Sequence, residues 1–164
     1  MKAIFLVRHA KASRKDLPIL DKDRPLTKRG KKDLKAMKPV LLKQVIKPEW
    51  IFSSSANRAA QTAAIYAGFY DMCDRISFHD ELYHPDPRDI VDFARGRNEK
   101  LGGIAIVGHN PELEDVAYLL WGGSFDGTIP TSACICLSFD VASWDGVRES
   151  AGELEYYEYP GKYR

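Results

Sequence analysis

The sequence predicts a three-layer αβα domain built around a central, largely parallel β-sheet. Short apolar runs rich in β-branched and aromatic residues alternate along the chain with stretches of helical periodicity. Where strands and helices alternate in this way, the strands pair in parallel and the helices pack on both faces of the sheet. No repeat or low-complexity linker interrupts the 164 residues, so we expect a single domain over residues 1–164.

Four apolar runs fit the strands of this sheet. They cover residues 3–7, 50–53, 104–107 and 133–139. The first and third runs are apolar throughout, which predicts strands that are buried on both faces. The alternating stretch over residues 153–159 indicates a final strand at the edge of the sheet.

Helix signals fill the segments between these strands. Thr27 predicts the N-cap of a helix that ends near Met37, and Pro39 then restarts or kinks the chain. An alanine-rich segment predicts a helix that begins at a cap provided by Asn57 or Ser55. A weaker signal covers residues 85–95. The clearest helix follows the Asn-Pro pair at 110–111, where apolar residues recur at i, i+3, i+4 and i+7.

The composition disfavours several classes of protein. The chain carries 24 Lys plus Arg and 23 Asp plus Glu, a net charge of +1, so it lacks the basic field typical of nucleic-acid binding. Its N-terminal apolar run is too short for a membrane span. Three cysteines without a CxxC pair suit a reducing compartment, so we expect a cytoplasmic protein with no membrane or nucleic-acid partner. Cys134 and Cys136 lie two residues apart in a predicted strand, which indicates small core residues on one face.

Basic side chains follow three of the predicted strands. Arg8 and His9 come directly after the first strand, Arg58 opens the helix after the second, and His109 follows the third. Ligands of parallel sheets bind beyond the carboxyl ends of the strands, so we expect these side chains to meet at one edge. The positive end of a helix dipole disfavours a cation, so an arginine there indicates that an anion binds beside it. Each residue alone has an ordinary surface or packing explanation, but their convergence favours phosphate chemistry.

Five short motifs resemble the histidine phosphatase superfamily and occur in its order. They are Leu6-Val7-Arg8-His9-Ala10, Arg24-Pro25-Leu26-Thr27 with Gly30, Ser53-Ser54 with Arg58, Gln61 and Thr62, Val107-Gly108-His109-Asn110-Pro111, and Thr131-Ser132-Ala133. The fourth motif is similar to that of the short branch typified by the phosphohistidine phosphatase SixA. The resemblance covers residues 3–139 and implies a phosphoglycerate mutase-like fold. Ala10 stands where the family usually has glycine.

The resemblance also implies a role for each basic side chain. His9 is expected to attack phosphorus and form a phosphohistidine intermediate that water then hydrolyses. Arg8 and Arg58 are expected to bind the phosphate oxygens through their planar forks, and His109 to donate a further hydrogen bond. Because these groups supply the positive charge, the resemblance implies neither a metal nor a cofactor.

The proton donor and the rim of the site leave alternatives open. Glu81 is the best positional match to the family's carboxylate donor, while Asp80 and His84 compete for that role. A solvated surface pair is the other interpretation of the two carboxylates. Arg24 and Asn110 are expected at the substrate-binding mouth, where Arg24 has a salt-bridge role as its alternative.

The expected substrate is a phosphohistidine on a protein or a small phosphorylated metabolite. Only 22 residues separate Arg58 from Glu81, and 27 separate Glu81 from His109, which leaves little chain for a lid. An open site would suit a side chain carried on a protein. Two other hypotheses remain at this point: a metal-dependent hydrolase that uses His9, His84 and His109, and a non-catalytic module that binds phosphoproteins.

Overall fold

The central strand β1 pairs with neighbours on both sides in a six-stranded sheet. The computed structural model describes residues 1–164, and its strands are β1 (Lys2–Arg8), β2 (Trp50–Ser54), β3 (Ile76–His79), β4 (Gly103–Gly108), β5 (Cys134–Phe139) and β6 (Glu153–Glu158). Their spatial order is β3-β2-β4-β1-β5-β6. The first four strands in that order run parallel, whereas β5 runs antiparallel to both β1 and β6. The predicted sheet is therefore confirmed as largely parallel.

Five helices cover the two faces of the sheet. They are α1 (Lys28–Ala36), α2 (Lys38–Leu42), α3 (Asn57–Phe69), α4 (Pro87–Arg95) and α5 (Glu112–Trp121). Alternate residues of β1 enter two separate apolar cores: Ile4 and Leu6 join the core under α4 and α5, while Phe5 and Val7 join the core under α1, α2 and α3. This alternation produces the three predicted layers. No helix combines the length and apolar character needed to cross a bilayer.

The two predicted helix caps had different outcomes. Thr27 caps α1 as predicted, since its hydroxyl accepts a hydrogen bond from the Gly30 N–H at 2.9 Å. The prediction that Asn57 or Ser55 caps α3 is wrong, because the N-cap position is Ala56. The Ser54 hydroxyl accepts from the Ala56 N–H at 3.2 Å instead, so a residue at the end of β2 stabilises the entry to the helix.

The edge strand β3 was not predicted, whereas the core role of two cysteines is confirmed. β3 has only four residues, and Ser77 and His79 interrupt its apolar pattern. Cys134 and Cys136 both pack in the core under α1, α2 and α3. Burial raises the pKa of the Cys134 thiol to about 12, which keeps it protonated and unreactive.

Gly30 lets α1 pack directly on the chain that leaves β1. A Cβ atom at Gly30 would lie 2.2 Å from the Lys11 carbonyl oxygen, far inside van der Waals contact. The Thr27 N–H donates to that same oxygen at 2.9 Å, so the carbonyl is held in place. The glycine of the Pro-Leu-Thr-x-x-Gly motif therefore fixes the position of the segment after His9.

We expect Gly30→Ala to lower the free energy of unfolding by about 1–3 kcal/mol, because the backbone must shift to accept the methyl group. Chemical denaturation of the purified variant measures this loss. The matched control is Gly68→Ala in α3, where nothing lies within 4 Å of the position that the added methyl group would take. There the higher helix propensity of alanine should stabilise the protein by about 0.5–1 kcal/mol. Equal effects at the two positions would show that the contact with Lys11 is unimportant.

Candidate active site

Two histidines meet where β1 and β4 end side by side. The parallel register pairs Arg8 with Gly108, so His9 and His109 each lie one residue beyond the paired ends. The His9 N–H donates to the Gly108 carbonyl at 3.0 Å and continues the ladder. The centroids of the two imidazole rings are 5.3 Å apart. Strand pairing therefore brings together residues that are 100 positions apart in the sequence.

A cavity of about 290 Å³ opens at this edge of the sheet. Six of the seven predicted site residues line it: Arg8, His9, Arg24, Arg58, His109 and Asn110. Its other lining residues are Lys11, Ala12, Lys15, Asp21, His84 and Thr131. Five cationic side chains and one carboxylate thus surround the two buried imidazoles, an arrangement that suits an anionic ligand.

The His9 ring is held in one tautomer. Its Nδ1 lies 2.7 Å from the Ala10 carbonyl oxygen, and because a carbonyl only accepts, Nδ1 carries the proton. Burial lowers the pKa of His9 to about 4, and the charges of Arg58 and Arg8 contribute to this lowering. His9 is consequently neutral at pH 7, with the lone pair on Nε2 free to act as a nucleophile.

His109 is also neutral and anchored at one nitrogen. Its Nε2 lies 2.8 Å from the Ser54 hydroxyl at the end of β2. Burial lowers the pKa of His109 to about 3, with added repulsion from His9 and Arg58. The other ring nitrogen, Nδ1, is buried and has no hydrogen-bond partner in the protein. A buried polar atom of this kind is costly unless a ligand contacts it.

The three arginines are fixed by acceptors that hold part of each guanidinium. Arg8 Nη1 donates to the Ile129 carbonyl at 2.6 Å, while Arg24 Nη1 donates to the Ser13 carbonyl at 2.6 Å. Arg58 Nη1 donates to the backbone carbonyl of Asp21 at 2.9 Å. The Nε atoms of Arg8 and Arg58 are buried without a protein partner. Each of these two forks therefore keeps donor capacity for a substrate.

Asp21 is the site residue that the sequence did not reveal. Its carboxylate accepts from Arg24 Nε at 3.0 Å, from Arg58 Nη2 at 3.2 Å and from the Tyr83 hydroxyl at 2.5 Å. The Tyr83 hydrogen bond, helped by Arg58, holds the pKa of Asp21 well below its usual range. Asp21 is thus an anionic support for two arginines. No local pattern marks it, because its partners come from other segments of the chain.

The three predicted proton donors occupy different places. Glu81 lies outside the cavity lining on an exposed 3-10 turn, where its Oε1 is 3.4 Å from His79 Nδ1. Asp80 is also outside and pairs with Lys22 at 2.9 Å. His84 is the one of the three that lines the cavity, and its ring centroid lies 6.1 Å from that of His109.

The metal-site hypothesis gains no set of ligands from this arrangement. The structure contains no group of three or more His, Cys, Asp or Glu side chains arranged to hold a metal ion. Two ring nitrogens of the proposed triad, His9 Nδ1 and His109 Nε2, already contact protein groups.

Residues 4–83 match the sequence model of the histidine phosphatase superfamily, branch 1. The chain is similar to this superfamily over these 80 of its 164 residues. The matched histidine phosphatase segment includes Arg8, His9, Arg24 and Arg58 of the cavity. An uncharacterised, chloroplastic protein of Arabidopsis thaliana is 29% identical over an alignment of 130 positions that covers 74% of this chain. The match covers 60% of that relative, so this chain spans less than two thirds of its length.

Several solved phosphatase structures share this fold over nearly the full chain. A structure from Agrobacterium tumefaciens assigned to the phosphohistidine phosphatase SixA has a TM-score of 0.83 at 22% identity and covers 97% of this chain and 98% of its own. The protein histidine phosphatase SixA complexed with tungstate has a TM-score of 0.79 at 22% identity, with 99% of both chains covered. A mycobacterial glucosyl-3-phosphoglycerate phosphatase has a TM-score of 0.67 at 14% identity, covering 94% of this chain and 97% of its own. The phosphoglycerate mutase-like αβα fold is confirmed.

Proposed function

We propose that this chain is a phosphatase that hydrolyses a phosphohistidine on a protein, or a small phosphomonoester, through a covalent phosphohistidine at His9. One observation carries the proposal. His9 is buried, neutral and locked with Nε2 as its free nitrogen, and it lies in a cavity lined by three arginines and a second neutral imidazole.

The chemistry of phosphoryl transfer explains why these groups suffice. The protein must position a nucleophile in line with the leaving group and offset the charge on the three equatorial oxygens. His9 Nε2 attacks phosphorus, while the unpartnered donors of Arg8 and Arg58 bind the oxygens. His109 contributes its free Nδ1 side to the same group. Water then attacks the phosphohistidine and releases inorganic phosphate, a sequence that we propose needs no metal.

Exposed apolar side chains beside the cavity favour a protein as the substrate. Leu17, Ile19 and Leu20 are 38%, 43% and 74% exposed. They lie in the segment between Lys15 and Asp21, two residues of the cavity lining. Exposed apolar side chains in a segment that flanks a polar site suit contact with another protein. A small phosphorylated metabolite would gain little binding energy from these apolar side chains.

A comparison of two substrates tests both parts of the proposal. We expect the triple variant Leu17→Ser, Ile19→Ser and Leu20→Ser to raise KM about tenfold or more for a phosphohistidine-bearing protein, because it removes apolar contact area outside the cavity. Hydrolysis of para-nitrophenyl phosphate should stay unchanged, since that small substrate does not reach the segment. Equal KM values of the wild type and the triple variant for the protein substrate would show that the segment does not contact that substrate. A wild-type enzyme that hydrolyses neither of the two substrates would refute the phosphatase assignment.

A further inference from the structure

His84, a residue of the cavity lining, lies close to the carboxylate of Glu112. His84 Nδ1 is 3.8 Å from Glu112 Oε1, where Glu112 opens helix α5. The Glu112 side chain is only 18% exposed, and its second oxygen, Oε2, is buried without a partner. The His84 side chain is 61% exposed, and its ring lies against the Tyr83 ring at a centroid distance of 4.0 Å and a tilt of 33°.

We propose that His84 is the proton donor to the leaving group and that Glu112 is its positioning residue. This inference rests on the proposed function of the site. In this mechanism the exposed His84 ring rotates so that its Nδ1–H donates to the Glu112 carboxylate, which lies 3.8 Å away in this structure. Nε2 is then the nitrogen that exchanges a proton with the substrate, as in other histidine–carboxylate pairs.

Position distinguishes His84 from the other titratable groups of the site. The nucleophile His9 needs its Nε2 for phosphorus, and His109 is buried and already anchored to Ser54. The ring centroid of His109 lies 6.1 Å from that of His84 and 5.3 Å from that of His9. Of the three histidines, His84 is the most exposed, so it is the one that a departing leaving group can reach from solvent.

The proton balance of the two steps is simple. In the first step the His9 Nε2–P bond forms and the bond from phosphorus to the leaving atom breaks. The leaving atom is an alcohol oxygen in a phosphomonoester and a ring nitrogen in a phosphohistidine. The electron pair stays on that atom, which takes the proton from protonated His84. In the second step neutral His84 accepts a proton from water as the water oxygen bonds to phosphorus. The N–P bond breaks, its electron pair returns to His9, and His84 is protonated again.

The test compares two aryl phosphates of similar size that differ in leaving group. Phenolate is a poor leaving group that needs a proton, whereas para-nitrophenolate is stable without one. We expect His84→Asn to lower kcat/KM about 100-fold for phenyl phosphate and less than about tenfold for para-nitrophenyl phosphate. Glu112→Gln should give a smaller loss with the same dependence on the leaving group.

A second histidine–carboxylate pair in the same chain provides the control. His79 and Glu81 lie 3.4 Å apart outside the cavity, so His79→Asn and Glu81→Gln should change both substrates equally and little. Thermal unfolding midpoints show whether each variant is folded. A loss specific to phenyl phosphate in Glu81→Gln would overturn the proposal, as would equal losses for both substrates in His84→Asn. Wild type that is quenched in base and carries no acid-labile phosphate on His9 would refute the proposed function itself, which is a separate outcome.

Discussion

Turnover should disappear in the His9→Ala variant while the fold remains intact. His9 supplies the only nucleophile in the proposed mechanism, and none of the arginines can form the covalent intermediate. Residual kcat/KM at or below about 10⁻⁴ of the wild-type value is the expected scale, because triad-type nucleophiles show losses of this order or more. Steady-state hydrolysis of para-nitrophenyl phosphate measures this loss.

The covalent intermediate gives a second and independent measurement. Wild-type enzyme incubated with labelled substrate and quenched should carry acid-labile phosphate on His9, whereas His9→Ala should carry none. His109→Ala is the informative comparison, because it removes the neighbouring ring at 5.3 Å but keeps the nucleophile. That variant should be slow and still become labelled. Label on serine or aspartate, or activity that survives in His9→Ala, would contradict the mechanism.

The strands at the centre of the sheet were predictable because their environment is uniform. β1 and β4 are buried on both faces, so their sequences are continuous apolar runs that are easy to recognise. β3 is a four-residue edge strand whose residues are partly exposed, and its short mixed pattern resembles that of a loop. Its pairing with β2 depends on main-chain hydrogen bonds, which the side-chain pattern does not record.

The site was predictable where strand ends determine it. Parallel pairing of β1 with β4 forces His9 and His109 together, so a rule about the carboxyl ends of strands identified both. Asp21 and Glu81 lie on short 3-10 turns, whose orientation depends on tertiary contacts. Asp21 turns toward Arg24 and Arg58, while Glu81 turns toward His79. Spacing along the chain contains no information about that difference.

Because Asp21 contacts Arg58, a test of Arg58 must separate the effect of its charge from the effect of its planar geometry. Arg58 is the second residue of α3, and its side chain is only 5% exposed. Its two Nη atoms contact the carbonyl and carboxylate of Asp21 at 2.9 Å and 3.2 Å. The planar guanidinium can keep both contacts and still present further N–H groups to phosphate oxygens. A lysine ammonium has three donors on one nitrogen and cannot occupy both positions together.

Arg58→Lys should therefore reduce kcat/KM by a factor equivalent to about 2 kcal/mol or more of transition-state stabilisation, although the charge is retained. The loss should fall mainly on kcat, because the fork binds the equatorial oxygens most strongly as charge develops on them. Kinetics with para-nitrophenyl phosphate measure both constants. Arg29→Lys is the matched control, since Arg29 is 59% exposed in α1 and pairs only with Asp33. Wild-type values of kcat in Arg58→Lys would mean that a point charge is sufficient there, and the bidentate contact with the phosphoryl group would then be excluded.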